Sequence, residues 1–215
     1  MHAMLFTRPD FCYTVGMFSR YQMNLGIGQW NQIKHALRYV QATLYYSLCF
    51  NQKDLQLQGY TDADWQGDLD DRKSTSGYLF TLAGGAISWS SKKQDLVALS
   101  SMEAEYIVAS EVVKEAVWLK EFLSTLKIVG SASKPVVVYC DNQAAIKVFR
   151  YPKFHSKIKH IEGRYHYIRC VINILKSVSL EFLPSTDMVV DPLTKSLSQV
   201  VFGKHVQAMG LRIFE

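Results

Sequence analysis

A chain of 215 residues is long enough for one sizeable domain with an appendage, and with 48% hydrophobic and 20% charged residues it can bury a core without disulfides. The net charge of +5 suits a polyanionic partner without requiring one, and Cys12, Cys49, Cys140 and Cys170 are too dispersed for a zinc cluster or a disulfide framework. Met1 does not open a signal peptide and no apolar run reaches the ~20 residues of a membrane span, so a soluble intracellular protein with reduced thiols and no membrane partner is expected.

Residues 11–20 and 28–46 read as short helices; in the second, Trp30, Ile33, Leu37 and Val40 recur at spacings of three and four. The polar stretch 51–54 separates this helical extension, residues 1–50, from a main domain over 54–200. From Leu55 the period becomes two, which predicts a strand reaching Asp62, followed by a polar connection over 63–76. Residues 77–82 and 86–90 are β-rich runs about Gly84-Gly85, completing a three-strand meander. A long helix is predicted over 101–127 with Ser100 or Ser101 as its N-cap, then a wholly apolar strand over 135–140. Helices over 141–149 and 156–176, a fifth strand over 178–183 and a last helix over 187–197 follow, with 201–215 as a C-terminal tail. The order βββαβαβα predicts an α/β fold, a five-stranded mixed sheet flanked by helices.

Four acids fit poorly as ordinary surface residues. Asp62 ends the first strand, where a turn acid is the plain alternative. Asp141 follows the buried strand and opens a helix; it reads equally as an N-cap and as a carboxylate at the carboxyl end of a central strand, where open α/β sheets place their chemistry. On the long helix, Glu105 shares the apolar stripe of Val108, Val112, Ala116, Leu119, Leu123 and Leu126, whereas Glu103 points roughly the opposite way. Glu105 is therefore the acid aimed at the sheet, and Glu103 a first-turn residue favoured by the helix dipole. Asp191 precedes Pro192, so it also reads as an N-cap. Together these carboxylates, with no basic partner expected between them, would need cations, and hard oxygen ligands favour Mg²⁺ or Mn²⁺.

Several blocks carry a resemblance. They are Gly59-Tyr60-Thr61-Asp62-Ala63-Asp64-Trp65, Asp71-Arg72-Lys73-Ser74-Thr75-Ser76-Gly77-Tyr78 and Ile87-Ser88-Trp89-Ser90-Ser91-Lys92-Lys93-Gln94. With them go Ser100-Ser101-Met102-Glu103-Ala104-Glu105-Tyr106, Tyr139-Cys140-Asp141-Asn142, Lys159-His160-Ile161-Glu162 and Asp191-Pro192-Leu193-Thr194-Lys195. In order and spacing, over about residues 55–200, they resemble the ribonuclease H domain of copia-type retrotransposon Pol polyproteins. The resemblance implies a ribonuclease H-like fold and Asp62, Glu105, Asp141 and Asp191 as catalytic ligands of two Mg²⁺ ions. It implies hydrolysis of the RNA strand of an RNA/DNA hybrid, leaving a 3′-hydroxyl and a 5′-phosphate. The head of the chain, with Thr7-Arg8-Pro9-Asp10, Ser19-Arg20-Tyr21 and Leu37-Arg38-Tyr39-Val40, resembles the end of the preceding reverse transcriptase. The paired-aspartate palm is missing, so a fragment without polymerase activity is expected, its partners the hybrid and the remainder of the polyprotein. Its expected place is the cytoplasm, within a virus-like particle for an active element, with the nucleus as an alternative.

Two departures from the family stand out: Pro184-Ser185-Thr186-Asp187 has no histidine before the last acid, and Val190 replaces a small residue. The hybrid is expected to contact Asn142 and a basic stripe of Lys157, Lys159, His160 and Arg164, which Lys92, Lys93 and Lys195 would extend; a solvated helix face is the plain alternative. Trp65, Trp89 and Trp118 read as core rather than base-stacking residues. Two other classes stay open. One is an inert nucleic-acid-binding or structural fragment; the other is an integrase-type DNA transferase, disfavoured because such enzymes place their glutamate last.

Overall fold

The computed structural model describes residues 2–24, 26–51, 55–68, 70–127, 134–150, 168 and 170–213. Its centre is a five-stranded sheet. Strands β2 (Gln58–Asp64), β3 (Thr75–Leu82) and β4 (Gly85–Lys93) form an antiparallel meander, preceded in the chain by the short strand β1 (Tyr46–Leu48). The β3–β4 hairpin turns on Ala83 and Gly84, both at positive φ (51° and 79°), the conformation a two-residue turn needs to match strand twist. Strands β5 (Val136–Cys140) and β6 (Val178–Phe182) add in parallel, giving the order β4-β3-β2-β5-β6 and the mixed α/β sheet that the alternating periods predict.

Adjacent β3 residues show how the faces divide. Phe80 points into a core shared with Val138 and with Val108, Val112, Ala116, Leu119 and Leu123 of the long helix Ser101–Thr125. Leu79 points into a second core with Met188, Val190, Leu193, Cys12 and Met209. Leu126, at the end of the predicted stripe, is 50% exposed.

The N-terminal segment forms helices α1 (His2–Phe6), α2 (Cys12–Ser19) and α3 (Ile27–Ala42), which makes the long helix α4. It is fastened by a buried knot in which Arg8 donates to both carboxylate oxygens of Asp10 (3.0 and 2.8 Å) and to the Thr43 carbonyl (3.0 Å), while the Tyr39 hydroxyl donates to Asp10. α3 buries no residue fully; Trp30 and Leu37 of its apolar stripe stay exposed. Among the tryptophans expected in the core, Trp89 is partly buried and donates to the Met4 carbonyl, but Trp65 and Trp118 are 43% and 55% exposed.

Two expectations near the C-terminus are corrected. Residues 187–197 form no α-helix; 3₁₀ turns occupy Ser185–Asp187 and Asp191–Leu193. The reason is burial: 188–194 is buried at every position, which a one-sided helix cannot achieve, and Pro192, in the middle of the span, has no N–H to give an α-helical bond. Within the expected tail over 201–215, the described residues up to 213 are folded. Helix α6 (Gln199–Ala208) leads into strand β7 (Leu211–Ile213), which pairs antiparallel with β1. Helix α5 (Gln143–Arg150) follows β5 as predicted, and of the helix expected over 156–176 the described part is the π-helical turn Cys170–Ile174. Among the described residues no helix is long and apolar enough to cross a membrane, and the four cysteines are free thiols.

Candidate acidic site

The parallel pairing of β2 with β5 ends at Thr61↔Cys140, and the next residue on each strand is an acid, Asp62 and Asp141. Where two parallel strands part, a crevice opens at their carboxyl ends. Glu105 reaches this point from one face of the sheet and Asp191 from the other, on the 3₁₀ turn that packs against β3. That turn approaches so closely because Gly77, paired with Asp62, has no side chain: a Cβ there would lie 2.5 Å from the Thr194 methyl.

Asp62, Glu105 and Asp191 are buried, 3–4% exposed, and Asp141 is partly buried. Each is held by the chain around it. The Ala63 N–H donates to Glu105 Oε1 (2.9 Å) and the Cys140 thiol to Oε2 (3.8 Å). The Thr194 hydroxyl donates to Asp62, and the Ser185 hydroxyl to Asp141 Oδ2 (2.7 Å). Asp191 Oδ1 is buried with no hydrogen-bond partner among the described residues. Glu103 lies away from this site and closes the helix cap: its N–H donates to Ser100 Oγ (3.2 Å) and its carboxylate accepts from the Leu99 N–H (2.8 Å).

The electrostatics follow from crowding. Burial, then the charges of Asp62 and Asp141, push Glu105 well above the carboxylate range. Burial and Asp62 push Asp191 up to about 7, and burial raises Asp62 despite Lys195 and Thr194. The expectation that no base lies among the acids is corrected here. Lys195 Nζ sits 3.1 Å from Asp191 Oδ2 and 3.4 Å from Asp62 Oδ2. Its spacing of four from Asp191 was a visible signal; its closeness to Asp62, on a distant strand, was not.

An array of carboxylate oxygens, one of them orphaned, fits a hard divalent cation. Ligand atoms of Glu105, Cys140 and Asp141 lie within 4.8 Å of one another, so Cys140 adds a softer donor to the set. Asn142 caps α5, its side-chain oxygen accepting from the Ala144 and Ala145 N–H groups. Lys157, Lys159, His160 and Arg164 lie outside the described residues. Lys93, expected to extend the basic stripe, is bound to Asp68 and Asp71 (2.6 and 2.7 Å).

No protein-family profile matches the chain. Over 211 residues, 98% of its length, it is 45% identical to the retrovirus-related Pol polyprotein from transposon TNT 1-94 of Nicotiana tabacum. It is 40% identical over 211 residues to that from transposon RE2 of Arabidopsis thaliana. The chain spans 16% and 14% of those two proteins. It is also 50% identical over 120 residues, 55% of its length, to secreted RxLR effector protein 161 of Plasmopara viticola, covering 84% of that protein. Among solved structures, the foamy viral protease-reverse transcriptase in complex with RNA/DNA hybrid superposes with a TM-score of 0.52 at 11% identity, over 92% of this chain and 25% of that one. A ribonuclease H1 isolated from compost gives 0.48 at 15% identity, over 71% and 99%.

Proposed function

Because the chain belongs to the copia-type retrovirus-related Pol polyproteins, we propose that it hydrolyses the RNA strand of RNA/DNA hybrids at the site formed by Asp62, Glu105, Asp141 and Asp191. The observation that supports this most is the convergence of four acids where β2 and β5 part, with the Asp191 oxygen orphaned among them. The ribonuclease H-like fold agrees with it. In this reading all four carboxylates hold two divalent cations, Mg²⁺ or Mn²⁺. Bound there, such ions supply an activated water and offset charge on the leaving oxygen.

The chain's own part is positioning. Thr194 and Lys195 fix Asp62, the Ala63 N–H fixes Glu105, and Ser185 orients Asp141. Asp191, with its carboxyl pushed up to about 7, must release its proton before both oxygens can act as ligands. Choice of the RNA strand would rest on contacts to 2′-hydroxyls, which DNA lacks. Hybrid bound across this edge and the rest of the Pol polyprotein are the partners of the reading, and the particle or cytoplasm its setting.

The test is incubation with a labelled RNA/DNA hybrid and with double-stranded DNA, each in Mg²⁺ and in EDTA, alongside Asp62→Asn. The expected result is Mg²⁺-dependent cleavage of the RNA strand alone, lost in the variant. Cleavage or joining of DNA would move the site to transferase chemistry, and binding without cleavage would leave an inert module.

A further inference from the structure

The one basic group within ion-pair distance of the acids, among the described residues, is Lys195, and it is placed asymmetrically. Its ammonium bridges Asp62 and Asp191 and pairs with neither Glu105 nor Asp141. It is held there by the chain: its N–H donates to the Asp191 carbonyl (3.1 Å) four residues back, just after the Thr194 N–H closes the 3₁₀ turn on the same oxygen, and its side chain is only 33% exposed. On the other side, the Glu105 and Asp141 oxygens lie within 4.8 Å of each other and of Cys140 Sγ, and among the described residues no ammonium pairs with them. Among the described residues, then, one half of the site is neutralised from within and the other has no internal counter-ion.

We propose that Lys195 is a built-in counter-ion of the Asp62–Asp191 half, which a divalent cation must displace, so that the two halves of the site fill with unequal affinity. This rests on the reading of the four acids as cation ligands. Two positive groups cannot share the Asp62 and Asp191 oxygens at contact distance without strong repulsion, so the ammonium swings out as the second cation enters. The flexible stem of lysine permits this, whereas a rigid planar guanidinium forked onto both carboxylates would leave less readily. At low cation concentration Lys195 keeps Asp62 and Asp191 together and limits their repulsion. As the cation rises, the same residue sets the concentration at which the second half fills.

The experiment is Mn²⁺ titration of the full chain, followed by calorimetry and by the electron paramagnetic resonance of free Mn²⁺, for wild type, Lys195→Met, Lys195→Arg and Lys204→Met. Lys204 serves as the charge control because its ammonium is engaged outside the cluster, with Asp187 and the Thr186 carbonyl. Lys195→Met is expected to tighten the weaker Mn²⁺ binding by about tenfold, a change of roughly one ion pair, and Lys204→Met to change it by less than about twofold. Lys195→Arg is expected to hold it at wild-type strength or weaken it. In EDTA the melting temperature of Lys195→Met should fall below that of wild type, and in saturating Mn²⁺ the gap should close. An unchanged weaker constant in Lys195→Met, an equal gain in Lys204→Met, or no Mn²⁺ binding by either wild type or Lys195→Met would overturn the proposal. Hybrid cleavage decides the functional reading separately: a chain that binds Mn²⁺ as described and cuts nothing sinks the nuclease and keeps the counter-ion.

Discussion

Asp62 and Asp68 are close in sequence and expose little surface, 3% and 5%, but Asp62 lies deep and Asp68 lies under a thin cover near the surface, and depth and partners together push them in opposite directions. Asp68 accepts from Arg20 (2.9 Å), and its bonds from Lys93 (2.6 Å) and from the N–H groups of Asp70 and Asp71 outweigh its burial and hold its carboxyl down at about 2. Asp62 shares a single ammonium with Asp191 and faces Asp141, so burial wins and its carboxyl is raised. One cluster is closed and complete: it ties the N-terminal segment to the β2–β3 connection and to β4. The other is left in deficit, with four carboxylates against one lysine among the described residues. Burial alone does not mark a functional acid; burial with too few partners does.

The sharpest way to break this contrast is at the glutamates. Glu105→Gln keeps the shape and removes a charge from the deficient cluster, so hybrid cleavage should fall on the order of 100-fold or more. Glu103→Gln keeps the cap acceptor and should leave the cleavage rate within about twofold. Steady-state rates of the two variants decide it: equal losses would mean that facing the sheet is not what matters. Asp68→Asn attacks the saturated cluster instead. Removing one partner of a buried, ion-paired group should cost about 2 kcal/mol in urea unfolding, less than for a fully enclosed pair because Lys93 and Arg20 stay partly solvated. Mn²⁺ affinity should not change; a loss of Mn²⁺ binding would join two clusters that the structure keeps apart.

The halves of this comparison were unequally legible in the sequence. Glu105 could be chosen over Glu103 from helical period alone, because the apolar stripe of α4 fixes which side faces the sheet. Asp141 could be set at a strand end because the apolar run of β5 stops at Cys140; Asp62, read as the end of its strand, lies inside β2, which runs on to Asp64 in pairing with β3. Lys195 could not be paired with Asp62, since that contact joins a strand and a turn far apart in the chain and depends on the missing side chain of Gly77. The 3₁₀ turn at Asp191 was hidden for a related reason: a segment buried all round shows no helical or strand period. Strands β1 and β7 have three residues each, too short to display alternation, and their pairing is entirely non-local. α3 shows the converse, a clear apolar period whose Trp30 and Leu37 face solvent.

The smallest effect is the most direct reading of the contrast, because the two clusters give stability opposite dependence on pH. Asp68 has a folded-state value near 2, below its unfolded value of 3.8, so its contribution is present above pH ~4 and is lost as the pH falls toward 2. Asp191 is raised to about 7, so between pH ~4 and ~7 the folded chain holds a proton that the unfolded chain has released. In that window the metal-free protein should therefore lose stability as pH rises, by about 1–2 kcal/mol, well short of the full shift because relaxation and water penetration around a crowded carboxyl absorb much of it. Melting curves in EDTA at pH 4.5, 6 and 7.5 (about the edges and middle of the window) measure it. Asp191→Asn should flatten the slope and raise the melting temperature near pH 7.5, since a neutral amide need not be ionised in a crowded acidic site. Saturating Mn²⁺ should flatten it in the wild type by a different route, neutralising the carboxylates from outside. If Asp191→Asn keeps the full slope, the deficit lies elsewhere among the acids; if Asp68→Asn removes it, the closed cluster is the one out of balance.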